Sequence, residues 1–214
     1  MKSTVAFFDF DGTLTRRDSM FPFLRQVSGT PFFIAKMAYL SPILAAYFIK
    51  VIRNDVAKEI VLASFLNGID MDVLQQTGTK YAAEQLPSML RTEGIERLRW
   101  HQSKGHACVL VSASLDIYLA PWALAAGFDD WITSSLEIDS AGAALGRLRD
   151  GNCFGDKKAK RIRTWLLNNK YEYLYAYGDT RGDLPMLELA DEGYMLVGGK
   201  FSLLKTKNKI ATQI

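Results

Sequence analysis

Asp9 and Asp11 stand two residues apart at the end of a short apolar run, residues 5–8. On a regular strand that spacing puts both carboxylates on one face. Like charges so close repel, and titrate as a pair unless a cation lies between them. A second acidic pair, Asp179 and Asp183, falls in Gly178-Asp179-Thr180-Arg181-Gly182-Asp183, again just past an apolar run. Carboxylates in small number suit Mg²⁺, a hard ion that keeps water and recruits phosphate oxygens. The plainer roles of such residues are turn hydrogen bonds and, for Asp183, a helix cap. Ser112 ends another apolar run, where a hydroxyl and the N–H groups after it can grip a phosphate oxygen, or simply shape a turn. Lys157 and Lys158 follow Gly155-Asp156 at the start of a helical pattern over 158–167. Helix starts favour anions, and a lysine there would neutralise phosphate charge.

These groups need a scaffold that gathers them. Runs 5–8, 107–111, 173–177 and 195–197 are apolar without polar alternation, as strands buried on both faces are. Helical patterns over 116–126, closed by Gly127, and over 183–190 follow the second and third runs. Strands alternating with helices predict an α/β fold, a Rossmann-like doubly wound parallel sheet that binds ligands beyond its strand C-termini. The acidic and hydroxyl residues sit at those ends. Residues 18–86 differ, with helical periodicity throughout and no convincing strand. Helices are expected over 21–27, over 32–53 with Pro42 as a kink or break, and from Asp55 to a stop at Gly68. A fourth covers 72–86, with Gly78 a weak point. The chain therefore divides into a core of residues 1–17 and 87–214 and an inserted helical cap, residues 18–86.

Composition narrows the rest. The 214 residues are 49% hydrophobic and 23% charged, too apolar for a disordered chain. A formal net charge of +3, with no long basic run, carries no nucleic-acid signature. Two cysteines, Cys108 and Cys153, make no disulfide framework. The apolar run before Asp9 is too short for a signal peptide, which points to the cytoplasm. Zinc-hydrolase, P-loop and serine-hydrolase chemistry lack their HExxH, GxxxxGK[ST] and GxSxG motifs. Residues 32–52 are nearly apolar enough for a membrane span, but Lys36 and Pro42 interrupt them. They read as a buried cap helix. The alternative is a helix resting on the inner face of a bilayer, with Lys36, Lys50 and Arg53 toward headgroups.

Taken together, Asp9-Phe10-Asp11-Gly12-Thr13, Ser112, Lys158 and Gly178-Asp179 with Asp183 resemble the four motifs of the haloacid dehalogenase superfamily. The helical insertion between the first two motifs resembles a C1 cap, and Asp18 after Asp11-Gly12-Thr13-Leu14-Thr15 is similar to the phosphoserine phosphatase-like type IB subgroup. Gly155-Asp156-Lys157-Lys158-Ala159 resembles that subgroup's Gly-Glu-x-Lys-Ala, which favours Lys158 over Lys157.

The resemblance implies a phosphatase of phosphomonoesters with Mg²⁺ as cofactor. Asp9 would attack phosphorus to form an aspartyl-phosphate, and Asp11 would act as acid and then base. The metal set would be Asp9, the main-chain oxygen of Asp11, Asp179 and Asp183. Thr13, Ser112, Ala113 and Lys158 would bind the phosphate. Asp18 matches an acidic residue that reads a substrate amino group, while Arg16 and Arg17 stand where the subgroup has asparagines and suit an extra anionic group. A small phosphorylated metabolite ranks first as substrate. A lipid phosphate ranks second, because Arg16 and Arg17 combined with the apolar 32–52 segment are similar to bacterial phosphatidylglycerophosphate phosphatases, whose substrate has an anionic headgroup and apolar chains; phosphoserine ranks third. The other class is a membrane-associated or catalytically silent binding protein, against which the retained aspartates argue. Oligomeric state is not legible.

Overall fold

The computed structural model describes residues 2–206. The first strand, β1 (Thr4–Phe8), is apolar because both of its faces are covered. Ala6 and Phe8 enter one buried cluster, Val5 and Phe7 the other. Four helices follow: α1 (Met20–Ser28), α2 (Thr30–Phe48), α3 (Asn54–Leu66) and α4 (Met71–Glu84). A 3-10 turn (Leu86–Met89) and α5 (Thr92–Ser103) return the chain to β2 (Ala107–Leu115). Where the chain leaves and re-enters the sheet layer, Thr15 bridges Leu90, and Arg91 N–H donates to the Leu14 carbonyl.

The remaining elements are α6 (Asp116–Ala126), β3 (Asp130–Ile138), β4 (Ala144–Arg149), α7 (Asp156–Asn168), β5 (Tyr173–Gly178), α8 (Leu184–Leu189), β6 (Glu192–Val197) and β7 (Lys200–Thr206). The seven strands run in the order β4-β3-β2-β1-β5-β6-β7. The five inner strands are parallel, and β4 and β7 pair antiparallel at the two edges. One cluster joins the sheet to α1, α3, α4, α5 and α6, and the other joins it to α7 and α8. The sheet is thus doubly wound, as expected. With β2 and β5 flanking β1, three strand C-termini meet beside one another, the switch point where such folds bind ligands.

Three local expectations change. Pro42 does not break α2, which continues through it from Thr30 to Phe48. Asp55 lies in the first turn of α3, and Arg53 takes the capping position instead. The apolar 32–52 segment is not core: within α2 only Leu40 is buried. Its outward side chains, among them Phe32 and Tyr39, stand clear of the protein.

Candidate active site

Asp9 follows directly on β1, and its N–H still donates to the Tyr177 carbonyl of β5, which holds it at the sheet's end. The chain then turns, with Leu14 and Thr15 N–H both donating to the Phe10 carbonyl. Gly12 makes this turn at φ +89°, and a Cβ there would lie 2.0 Å from Asp179 Oδ2. Only glycine lets the first acidic loop come so close to the second.

The buried Lys158, at the start of α7, donates to Asp9 Oδ1 and to Asp183 Oδ1, each at 2.6 Å. Lys157 is exposed. Asp183 Oδ2 accepts from the N–H groups of Asp179 and Thr180 and from the Thr180 hydroxyl, closing the loop as a capping box. The Thr13 hydroxyl lies 3.1 Å from Asp9 Oδ2 and 3.2 Å from Asp179 Oδ1, able to serve either. Burial pushes the Asp9 carboxyl up to about 8, the Asp183 charge adding and Lys158 opposing. Burial also acts to raise Asp183, but the Lys158 charge and its hydrogen bonds win and hold it below the usual range. Burial and then Asp183 raise Asp179. Burial acts to lower Lys158, but Asp9 and Asp183 outweigh it and keep the ammonium charged.

Asp11 turns away from this cluster. Its carboxylate accepts from Ser114 Oγ at 2.5 Å and from the Ser19 N–H at 2.8 Å. Burial, with the Asp18 charge behind it, moves its pKa up to about 6. Asp18 itself is exposed and accepts from the N–H groups of Met20 and Phe21, starting α1. Ser112 is buried on β2, and its hydroxyl accepts from the Ser114 N–H at 3.0 Å. The pairing of β2 with β3 shifts register between Val111 and Leu115, so these serines sit in an irregular stretch facing Asp11.

A cavity of about 280 Å³ joins these parts, lined by Asp9, Asp11, Asp18, Ser112, Ala113 and Lys158. Arg16 and Arg17 are exposed and do not line it; Arg17 lines a separate recess. Three functional candidates were missed in the sequence. Ser114 repeats Ser112 two residues on, a signal available from strand alternation. Lys58 of α3 donates to the Ala113 carbonyl at 2.6 Å and to Asn152 Oδ1 at 3.2 Å. Asn152 in turn donates to Asn54 Oδ1, tying α3 to the core a second time. Both Lys58 contacts are neutral oxygens, and desolvation of its ammonium pushes it down to about 8 despite the charges of Asp11 and Asp18. Only the docking of α3 brings Lys58 here, so nothing local in the sequence marked it.

Asp9, Asp179 and Asp183 each offer one oxygen, and these three atoms lie within 4.8 Å of one another. An all-oxygen set from few side chains fits Mg²⁺ rather than a softer metal. The Asp11 carboxylate is outside this set.

Comparison with known proteins places the chain among relatives of similar sequence and fold. The chain is 36% identical over 194 residues to protein CicA of Caulobacter vibrioides, covering 90% of this chain and 86% of that one. It is 27% identical over 203 residues to a "probable phosphatase" of Mycobacterium tuberculosis, covering 86% of this chain and 66% of that one. Among solved structures, a Bordetella pertussis protein of unknown function superposes with a TM-score of 0.78 at 22% identity, over 91% of this chain and 89% of that one. A substrate-bound phosphoserine phosphatase gives a TM-score of 0.63 at 14% identity, over 91% and 85%. The sequence model of the haloacid dehalogenase-like hydrolases spans residues 6–188, from β1 through α8, and this chain belongs to that family.

Proposed function

We propose that the chain is a Mg²⁺-dependent phosphatase that hydrolyses a small phosphomonoester through an aspartyl-phosphate on Asp9. The supporting observation is a pair of carboxylates in opposite settings at the end of β1. Asp9 faces the Lys158 ammonium, whose charge favours its anion, whereas Asp11 turns to Ser114 and Ser19, where burial favours the proton that a general acid must carry. The "probable phosphatase" name of the mycobacterial relative points the same way.

Asp9, Asp179 and Asp183, with the main-chain oxygen of Asp11, would hold Mg²⁺, which offsets the repulsion between a carboxylate and a phosphate dianion. Asp9 forms the new O–P bond while the ester O–P bond breaks, and Asp11 gives its proton to the leaving alkoxide. Asp11 then takes a proton from water as its oxygen attacks phosphorus, which releases phosphate and restores Asp9. Lys158, Thr13 and the Ser112–Ala113 segment hold the remaining phosphate oxygens. Lys58, whose contacts are neutral, fits a second anionic group on the substrate. That is the role the sequence suggested for Arg16 and Arg17. Asp18, at the same mouth, suits an amino group, as phosphoserine would need.

A lipid phosphate is the second reading. It is favoured by the apolar wall of the cavity, where Phe21, Leu44, Tyr47 and Val61 face the acidic end.

The test is turnover of a panel of phosphorylated metabolites and lipid phosphates by wild type, by Asp9→Asn and in EDTA. We expect Asp9→Asn to lose at least about 10³-fold in kcat, as removal of a nucleophile does. Chelation should abolish turnover until Mg²⁺ is restored. Wild-type rates in Asp9→Asn overturn the nucleophile, and undiminished rates in EDTA overturn the metal. A wild type that turns over no ester in the panel is a binding protein instead.

A further inference from the structure

Among the described residues, nothing covers the outer face of α2. Phe32, Ile34, Tyr39 and Phe48 are between 61% and 81% exposed, and Ile49 and Val51 continue the apolar surface beyond the helix. Isolated exposed apolar residues are ordinary, but a run along one helix marks a contact surface. Its charge is one-sided. From residue 19 to residue 54 the chain carries Arg25, Lys36, Lys50 and Arg53 and not one Asp or Glu. Lys36 is turned inward, donating to the Ser64 carbonyl and lying over the Phe65 ring, and Arg53 pairs with Asp55. Lys50, just past the helix, and Arg25 of α1, whose Nε donates to the Thr30 hydroxyl at the start of α2, are exposed near its two ends. Beside its first turn is a recess of about 620 Å³ lined by Arg17, Arg25, Phe21 and Phe33, with no carboxylate in its lining.

We propose that this face docks onto an anionic lipid bilayer, with α2 lying in the plane of the interface. The helix cannot cross the membrane without leaving its place. Its inner side packs Phe33 against Phe65, lines the catalytic cavity with Leu44 and Tyr47, and bonds the Tyr47 hydroxyl to Asn54. A helix that is apolar on nearly every side, keeps one side on the protein and offers exposed rings with cations near its ends suits the headgroup boundary. A second copy of the chain fits less well, since a face with cations and no acid would set like charges against each other across a two-fold axis. Docking would turn the mouth of the cavity toward the bilayer, because Phe21 lines both the recess and that cavity.

The experiment is flotation of the full chain with vesicles of phosphatidylcholine alone or mixed with phosphatidylglycerol. We expect the protein to float with the anionic vesicles, to remain below with the zwitterionic ones, and to be released by high salt. Tyr39→Glu with Phe48→Glu should weaken partitioning by about tenfold or more, as loss of buried apolar area at an interface does. Arg25→Glu with Lys50→Glu should abolish the preference for anionic lipid. Both pairs alter exposed positions, and an unchanged circular dichroism spectrum reports that they fold. No flotation on anionic vesicles overturns the proposal, as does a stable dimer that Tyr39→Glu converts to monomer. Flotation reads binding without turnover, so its failure leaves the hydrolytic reading of Asp9 and Asp11 untouched.

Discussion

Lys58 brings a cation into the acidic end of the cavity from a helix outside the sheet layer, where an anionic group on a ligand would meet it. Its ammonium rests on the Ala113 carbonyl and Asn152, and a charge so placed gains more from an anionic ligand than from those neutral oxygens. Lys58→Met keeps the stem and removes the charge. For substrates bearing a second phosphate or a carboxylate it should raise KM by about tenfold or more, the weight of one charge-assisted hydrogen bond. For a neutral-tailed ester the rise should be distinctly smaller. Steady-state kinetics on the two ester types make the comparison, and equal losses would mean that Lys58 only holds α3 down. At this scale candidate residues could be picked out where chemistry and an element's end coincide, as at Asp9 and Asp179 after strands and Lys158 at a helix start. The sequence was silent where a residue enters from another element, as Lys58 does.

Helix α4 shows how an element can look weak in sequence and be constrained in the fold. Gly78 interrupts its helical pattern, yet it is buried at the crossing with α6. A Cβ at Gly78 would lie 2.4 Å from the Ile117 carbonyl oxygen and 2.6 Å from its Cγ2. In an exposed helix Gly→Ala gains about 1 kcal/mol. Here the methyl group must push two helices apart, and overpacking costs about 1–3 kcal/mol. Gly78→Ala should therefore lower the urea midpoint with an unchanged slope; a raised midpoint would show that α4 and α6 do not approach so closely. Periodicity alone shows which helices exist but not how near they pass. The same limit hid the β3–β4 hairpin. Its strands mix Ser, Glu, Arg and Gly with apolar residues because β4 is an edge that only α3 covers, and β3 is covered by α6 beside it. A two-face burial pattern was the signal used for strands, and edge strands do not carry it. β7 escaped for the same reason, lying at the opposite edge.

Across the whole molecule, the layer joining α5 to the sheet is a stack of rings around a buried imidazole. His101 Nε2 lies 2.9 Å from the Tyr177 hydroxyl and its Nδ1 lies 2.8 Å from His106 Nδ1, while Phe8 meets it edge-on. Burial holds the His101 pKa down at about 3, with His106 and Arg97 adding to the effect. In the unfolded chain a histidine titrates near 6.5, so below that pH the unfolded state binds a proton that the folded state refuses. The contribution is complete above about pH 6.5 and is lost as the pH falls toward 3, at up to about 1.4 kcal/mol per pH unit. Asp9 and Asp11 act with the opposite sign, since their folded values of about 8 and about 6 lie above that of a free carboxyl. The informative measurement is thus a difference between two proteins with the same carboxylates. Urea unfolding of wild type and His101→Phe at pH 7 and pH 5 supplies it. The variant should be the less stable at pH 7, having lost two hydrogen bonds, and should lose less of its stability than wild type on going to pH 5. Equal losses in the two proteins would mean that the imidazole takes up its proton without disturbing the rings around it, and that the acid limit of this fold is set elsewhere.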